Sequence, residues 1–168
     1  MCWFNKIGMK LFTFFSFLIF SFFSFSKSVK DDTIIHQIIS NYQKAIITKD
    51  IPLAKNCFIS QDEFKGLVDY VAKTQPNCIG TDENNFSTEQ NDKAFLSVIS
   101  SDIKINTVFI NKIEYNNSCG DLFNIPRVIC TVQYNNNKTV EVPFLLIKTI
   151  NGDFKIIRNF LNIKMFSL

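Results

Sequence analysis

The apolar residues of this chain change their spacing near residue 105, and this change is the strongest constraint on its fold. Before it, apolar side chains recur every three or four residues, as in helices with one buried face. After it, apolar and polar side chains alternate, as in strands with one buried face. This order predicts an α+β domain in which N-terminal helices pack on a curved, antiparallel, four-stranded sheet.

Two helices are predicted in the first part of this domain. Asp31 or Asp32 is expected to cap a first helix that runs to about Lys49. Asp50-Ile51-Pro52 then ends it and restarts a shorter helix through Phe58. The first helix has one apolar face, formed by Ile34, Ile35, Ile38, Ile39, Tyr42, Ala45 and Ile46.

Two more helices follow, each preceded by a capping sequence. Ser60-Gln61-Asp62-Glu63 is a capping box for a third helix, which Pro76 ends. Ser87-Thr88-Glu89-Gln90 is a cap of the same kind for a fourth helix. The predicted buried stripes are Phe64, Leu67, Val68 and Val71 in the third helix and Ala94, Phe95, Val98 and Ile99 in the fourth.

Four strands complete the domain. Their predicted ranges are Thr107–Tyr115, Arg127–Tyr134, Lys138–Ile150 and Asp153–Phe160. Asn135-Asn136-Asn137 is predicted to form a three-residue turn between the second and third strands. This turn pairs Val132 with Val140 and Cys130 with Val142.

The last turn, Asn151-Gly152, is predicted to be a two-residue hairpin turn, because both residues tolerate positive φ. Such a turn places Ile147 opposite Ile156 and Thr149 opposite Phe154. This pairing changes the parity of the apolar residues along the third strand. A β-bulge at Pro143-Phe144 is therefore predicted to restore a single apolar face and to curve the sheet.

Residues Leu11–Phe25 form an apolar run of 15 residues, with Lys6 and Lys10 before it and small residues behind it. This pattern is typical of a secretory signal, and the run is shorter than the ~20 residues that cross a bilayer as a helix. We predict a signal peptide over residues 1–26, with translation starting at Met1 or at Met9. The predicted location is exported, either periplasmic or extracellular; an uncleaved anchor is the alternative.

Cleavage after Ser26 leaves a single domain, residues 27–168, with 16 basic and 15 acidic side chains. This balance disfavours a nucleic-acid partner, because phosphate binding needs clustered Lys and Arg. Asn, Ile and Lys are abundant, and this bias indicates an AT-rich genome. The many asparagines are therefore given no functional interpretation.

Few residues carry recognisable catalytic chemistry. His36 is the only histidine and lies beside the apolar face of the first helix, so a solvated position is favoured over a hydrolytic triad. Three pairs of adjacent acids are predicted to cap helices or to be solvated, namely Asp31-Asp32, Asp62-Glu63 and Asp82-Glu83. No phosphate-binding, calcium-binding or dinucleotide-binding sequence occurs, and we expect no cofactor, metal or catalytic residue.

Four cysteines remain after cleavage. Cys130 occupies an inward strand position and Cys57 lies on the short helix, and both are predicted to be buried. Cys78 and Cys119 lie beside turn residues and are predicted to form a disulfide in an oxidising compartment. The spacings exclude a Cys-x-x-Cys redox or zinc pattern.

Two segments indicate a family. They are Lys49-Asp50-Ile51-Pro52-Leu53-Ala54-Lys55 after the first helix and Asn151-Gly152-Asp153-Phe154-Lys155-Ile156 in the closing hairpin. With the order of helices and strands over residues 31–160, they make the chain resemble the nuclear transport factor 2-like, cystatin-like cone superfamily. The resemblance implies a pocket between sheet and helices, in a superfamily of isomerases, dehydratases, polyketide cyclases, transport adaptors and exported proteins.

The sequence thus favours an exported binding or interaction module over an enzyme. Its expected partner is a small apolar molecule or another envelope protein, with membrane contact only through an uncleaved signal. The alternatives are a small-molecule enzyme of the polyketide-cyclase or isomerase type, and a protein contact on an open sheet face. If a pocket exists, the polar residues expected to enter it are Tyr42, Tyr70, Tyr115, Arg127 and Arg158, the arginines only if the strand register slips. The alternative for each Tyr is a core-edge aromatic with its hydroxyl in water, and none of the five is assigned a role.

Overall fold

The computed structural model describes residues 30–74, 87–115, 125–161 and 163–166. The chain divides into two compact units, Met1–Ile34 and Ile35–Leu168. Of the first unit, residues 30–34 are described, and all five are helical. The second unit combines helices with a four-stranded antiparallel sheet, which confirms the predicted α+β class.

The described helices and strands follow the predicted order. Helix α1 covers residues 30–48, and it is followed by α2 (Ile51–Cys57), α3 (Gln61–Thr74) and α4 (Thr88–Ile99). The strands are β1 (Ile105–Glu114), β2 (Arg127–Tyr134), β3 (Lys138–Lys148) and β4 (Phe154–Asn159), and a short 3-10 helix covers Ile163–Phe166. The strand ends lie within two residues of the predicted ones.

A tight turn joins α1 to α2. Lys49 takes the left-handed conformation at φ 57, and the Asp50 amide donates a hydrogen bond to the Ala45 carbonyl (2.9 Å). This is the Schellman arrangement that ends many helices. The Asp50 carboxylate then accepts from the Leu53 amide (2.9 Å) and caps α2. The break predicted at residues 50–52 is confirmed.

The other predicted caps have different outcomes. The capping box is confirmed, because the Ser60 amide donates to the Glu63 carboxylate (2.9 Å) and the Glu63 amide to Ser60 Oγ (3.2 Å). Ser87 occupies the N-cap position of α4, but its side chain makes no capping hydrogen bond. The prediction that Asp31 or Asp32 caps α1 is wrong, because residue 30 is already helical and both lie inside the helix.

The sheet order is β1-β2-β3-β4, and the pairing of β2 with β3 is as predicted. Cys130 lies opposite Val142, and Val132 lies opposite Val140. Residues 135–137 all have positive φ (28, 48 and 70), which asparagine adopts more readily than most residues. The turn therefore fixes this register as the sequence predicts.

The predicted pairing of β3 with β4 is wrong by one residue. Leu146 lies opposite Ile156 and Lys148 opposite Phe154. A two-residue turn of the predicted type needs positive φ at both positions, and here Gly152 has φ 86 whereas Asn151 does not share that conformation. The Thr149 amide donates to the Asp153 carbonyl (2.7 Å), so the loop between these two residues has three residues, 150–152, and within it the Gly152 amide donates to the Thr149 carbonyl (3.0 Å).

The predicted β-bulge at Pro143-Phe144 is also wrong. β3 pairs with β2 through both residues without a shift. The irregularity lies instead between β3 and β4, where Leu145 faces Arg158 and Leu146 faces Ile156, so that Ile157 is the extra residue. The prediction assumed a single apolar face, whereas part of the sheet is buried on both faces.

We call the two sides of the sheet the inner face and the outer face. Paired residues lie on the same face, and successive residues of a strand alternate between faces. The inner face carries Val128, Cys130, Val132, Val142, Phe144, Leu146, Phe154, Ile156 and Asn159, all buried. The outer face carries Phe109, Thr131, Gln133, Glu141, Pro143, Leu145, Ile147 and Arg158.

Helix α3 covers one end of the outer face. Ile147 of β3 forms a buried cluster with Ile59, Leu67 and Val71, against which Phe64, Ile125 and Ile157 also pack. The Ile59 amide donates to the Ile156 carbonyl (3.1 Å), so the chain before α3 lies along the free edge of β4. We call this region the covered end.

The C-terminal residues cover part of the inner face. Leu161 and Phe166 are buried, and the Phe166 ring lies edge-on to that of Tyr134, with centroids 4.6 Å apart. Ile163 remains 41% exposed.

Candidate functional site

An aromatic cluster packs between α1 and the inner face of the sheet. Tyr42 is fully buried, and the centroid of its ring lies 5.5 Å from that of Phe58, 5.9 Å from Phe95 and 5.6 Å from Phe144. Such edge-on and tilted contacts stabilise a packed interior. Tyr42 therefore lies between the helices and the sheet, where it is surrounded by other rings.

Two buried asparagines join this cluster to three elements of the fold. Asn159 Nδ2 donates to the Tyr42 hydroxyl (2.5 Å), and Asn159 Oδ1 accepts from the Leu161 amide (2.8 Å). Asn91 Oδ1 accepts from the Asn159 amide (3.0 Å), while its Nδ2 donates to the Ile157 carbonyl (3.0 Å). The network ties α1, α4 and the irregular end of β4 together, because buried polar groups need partners.

Neither asparagine was predicted from the sequence to have a role, because abundant Asn was attributed to composition. A signal for each was present. Asn91 lies four residues before Phe95 and seven before Val98, on the buried stripe of α4. Asn159 ends a strand whose inward residues include Ile156, and the extra residue Ile157 rotates it to the same face.

Burial makes the titratable groups of the interior poor acids. It raises the pKa of the Tyr42 hydroxyl far above its usual range. Burial raises the pKa of the Cys57 thiol to about 11, although nearby Lys155 opposes the shift. Burial also raises the pKa of Cys130 to about 12. All three groups are neutral near pH 7 and unsuited to act as nucleophiles in that state.

The other polar residues predicted for a pocket lie outside the aromatic cluster. Tyr70 is 39% exposed on α3, and Tyr115 is half-buried just after β1. Arg127 and Arg158 are exposed, and both pair with Leu145 on the outer face. The structure does not bring these four residues together with Tyr42.

The residues predicted to lack a catalytic role occupy ordinary positions where they are described. His36 is exposed on α1. Glu63 serves the capping box and Asp62 is exposed in the first turn of α3. Asp82 and Glu83 lie outside the described residues. Within residues 30–74, 87–115, 125–161 and 163–166, no group of His, Cys, Asp and Glu has metal-binding geometry.

Of the four cysteines for which predictions were made, two lie within the described residues and two lie outside them. Cys57 and Cys130 are buried, as predicted, and both thiols are free. The Cys57 thiol donates to the Leu53 carbonyl (3.4 Å). Cys78 and Cys119, the predicted disulfide pair, lie outside the described residues, as does the predicted signal peptide.

The outer face between β1 and β3 forms a second candidate site, which we call the open end. Phe109, on the edge strand β1, has 55% of its surface exposed and lies in a cross-strand row with Thr131 and Glu141. Asn111 Nδ2 donates to Thr131 Oγ1 (2.7 Å) and to Glu141 Oε1 (3.1 Å). Gln133 lies in the next row and accepts from the Thr107 hydroxyl (3.2 Å).

An ion cluster borders the open end. Glu114 lies 2.8 Å from Lys112 Nζ and 3.7 Å from Arg127. The hydrogen bond and charge of Lys112, with a smaller contribution from Arg127, hold the pKa of the Glu114 carboxyl below its usual value. Arg158 stacks on the Phe160 ring, with its guanidinium carbon 4.9 Å from the centroid. Lys112 and Arg127 share the Glu114 carboxylate, and Arg158 adds a further positive charge at this border.

Comparison with known proteins leaves the function to be argued from this geometry. No family model, curated protein or solved structure matches the chain. Among the described residues, no helix has the length and apolar character needed to cross a membrane. The two candidate sites therefore carry the functional argument.

Proposed function

We propose that the chain is an exported, non-catalytic binding module that contacts its partner through the open end of the sheet. The observation that carries this proposal is the exposed ring of Phe109. The other residues of its cross-strand row, Thr131 and Glu141, are polar, and hydrogen bonds from Asn111 already orient them. Exposed aromatic side chains in an ordered polar setting are common at binding surfaces.

The interior supports binding over catalysis. Among the described residues, the buried polar side chains besides Tyr42 and Tyr134 are Asn91 and Asn159, and no carboxylate or imidazole is buried. An isomerase or cyclase of the alternative kind needs a titratable group facing a substrate cavity. The Tyr42 hydroxyl is instead held by Asn159 among packed rings.

Export is part of this proposal, and so is the disulfide between Cys78 and Cys119. The apolar run at residues 11–25 supports export. The described neighbours of the two cysteine segments support the disulfide, because Val71 and Ile125 pack in the same cluster. Val71 lies in the last turns of α3, shortly before the segment that contains Cys78, and Ile125 directly follows the segment that contains Cys119. One segment therefore starts, and the other ends, at the covered end. Reduction of the exported protein is expected to add two hydrogens to its mass.

A photo-crosslinker at position 109 tests the binding surface. Phe109 is replaced by p-benzoylphenylalanine in cells that export the chain, and the matched control carries the same residue at Ile150. Ile150 is 51% exposed, but it lies in the loop between β3 and β4. We expect a product of discrete or dispersed higher mass from position 109 that is absent from position 150.

Equal products from both positions, or none from position 109, would contradict the proposed surface. The enzyme alternative, which would work through a buried Tyr, Asp or Arg, has its own test at Tyr42, which is fully buried between α1 and the sheet. A turnover by the purified protein that is lost in Tyr42→Phe would replace the binding proposal.

A further inference from the structure

We propose that the open end binds an uncharged saccharide, with a sugar ring stacked on Phe109. This inference rests on the proposed function, because it names the chemical class of the partner of that surface. It follows from three properties of the described residues: an aromatic platform, oriented hydrogen-bonding groups around it, and charges of both signs nearby.

The platform is the ring of Phe109, which is 55% exposed on the edge strand of the open end. A pyranose ring carries C–H groups on its faces and hydroxyl groups around its rim. Contact of the C–H groups with an aromatic face removes apolar surface of both from water. The hydroxyls then extend over the neighbouring side chains of the sheet, which lie about 5 Å away across the strands.

Those neighbours offer both donors and acceptors. Asn111 Nδ2 is held between Thr131 Oγ1 (2.7 Å) and Glu141 Oε1 (3.1 Å). On the other side of Phe109, Gln133 Nε2 donates to Asn137 Oδ1 (3.0 Å). An amide and a carboxylate oxygen accept more than one hydrogen bond each. The groups can therefore keep these bonds and still accept from sugar hydroxyls, and their fixed orientation lowers the entropy lost on binding.

The charge distribution favours an uncharged partner. Lys112 and Arg127 are both paired with Glu114, and the row of Phe109 contains the carboxylate of Glu141. An anionic partner would meet two carboxylates, and a cationic one would meet the lysine and arginine. A partner that offers hydroxyl groups meets neither penalty, because like charges brought together cost free energy.

The strand edges argue against an added peptide strand as the occupant. At β1, the Val108 amide already donates to Gln43 Oε1 (3.0 Å), so α1 occupies part of that edge. At β4, Ile59 donates to the Ile156 carbonyl, and the chain before α3 occupies the edge. Peptides that extend a sheet need a row of free backbone groups. The exposed side chains of the open end are thus the accessible feature.

Nuclear magnetic resonance of the ¹⁵N-labelled exported protein tests this inference. The probes are cellohexaose, chitohexaose, maltohexaose and mannohexaose at millimolar concentration, and the readout is the side-chain amide signals of Asn111 and Gln133. We expect at least one probe to shift both signals in a saturable way. Phe109→Ala is expected to weaken that binding about tenfold, as the loss of one aromatic contact implies.

Two variants serve as controls. Phe109→Tyr keeps the platform and should retain binding, whereas Ile150→Ala removes an equally exposed apolar side chain elsewhere and should leave affinity unchanged. Circular dichroism confirms that each variant is folded. Equal binding by Phe109→Ala, or shifts that bypass Asn111 and Gln133, would overturn the inference.

The remaining outcomes separate this inference from the function on which it rests. Binding of dextran sulfate without binding of dextran or any neutral probe would show an anion site and refute the uncharged partner. A protein cross-linked from position 109, with no shift from any saccharide, would refute the saccharide and keep the binding module. The absence of both would refute both proposals.

Discussion

The two ends of the outer face of the sheet differ, because one is covered by helix α3 and the other is exposed. A few side chains account for this difference. At the covered end, Ile147 and Ile157 meet α3 and bury their surface against Leu67 and its neighbours. At the open end, Thr131 and Gln133 point to the same outer face from β2, and they bond to other polar side chains. Apolar side chains on the outer face are buried by packing against a helix, whereas polar side chains on the same face can remain exposed to solvent.

Phe109 is the exception to that rule, and this makes it informative. It is a large apolar side chain on the edge strand β1, in a row whose other members are polar, and more than half of its surface is exposed. The proposed function gives this exposure a role, because the ring is then available to a partner.

The largest expected effect distinguishes the two ends directly. Leu67→Ala removes a buried side chain from the covered end, and we expect a loss of about 2–5 kcal/mol in the free energy of unfolding. Phe109→Ala removes a larger side chain from the open end, with an expected change within about 0.5 kcal/mol. Urea denaturation measures both. Comparable losses in the two variants would show that Phe109 is part of the core, and the comparison would fail.

The second prediction compares amides on the two faces. Asn159→Ala removes the bonds to the Tyr42 hydroxyl and the Leu161 amide and leaves both groups buried without them. We expect a loss of about 2–4 kcal/mol in the free energy of unfolding. Asn111→Ala also removes two bonds, to Thr131 and Glu141, but water replaces them, and the expected change is within about 0.5 kcal/mol. An equal cost for both would mean that burial is not what makes the inner network important.

The sequence predicted most of the fold, because turns and caps act locally. The capping box at Ser60 and the register set by residues 135–137 depend on residues close in the chain, and both predictions are confirmed. The predicted pairing of β3 with β4 is wrong, because positive φ was expected at both Asn151 and Gly152, and in this turn only Gly152 adopts it. That error then required a bulge in β3, whereas the extra residue is Ile157 in β4.

The candidate sites were harder to predict, because they depend on distant residues. Nothing near Ile147 indicates that a helix from earlier in the chain covers its face, so one apolar face was assumed. Tyr42 and Asn159 are 117 positions apart, and their contact follows from the packing of α1 on the sheet. Phe109 was read only as part of a strand, since exposure is a property of the folded chain.

The third prediction concerns the turn that leads the chain toward the covered end. Lys49 has φ 57, a conformation that costs most residues about 1 kcal/mol and glycine very little. Lys49→Gly should therefore raise the free energy of unfolding by up to about 1 kcal/mol. Lys44→Gly, on the exposed side of α1, should lower it by about the same amount, because glycine weakens a helix interior. A loss in both variants would show that the Lys49 side chain, not its backbone, stabilises the turn.

The smallest expected effect is at the border of the open end, where charge takes the place of burial. Lys112 lowers the pKa of Glu114 in the folded chain below its ordinary value of 4.5. A carboxyl of this kind stabilises the fold at pH values above its unfolded pKa, and the contribution is lost as pH falls through the folded pKa. Glu114→Gln should thus reduce stability slightly near about pH 7 and not at about pH 3, by an amount that salt diminishes. The control is Glu89→Gln, which removes the exposed pair with Lys93 on α4 and should behave alike. If Glu114→Gln instead shows a large loss that salt does not change, the ion cluster is part of a buried interface, and the open end is not open in solution.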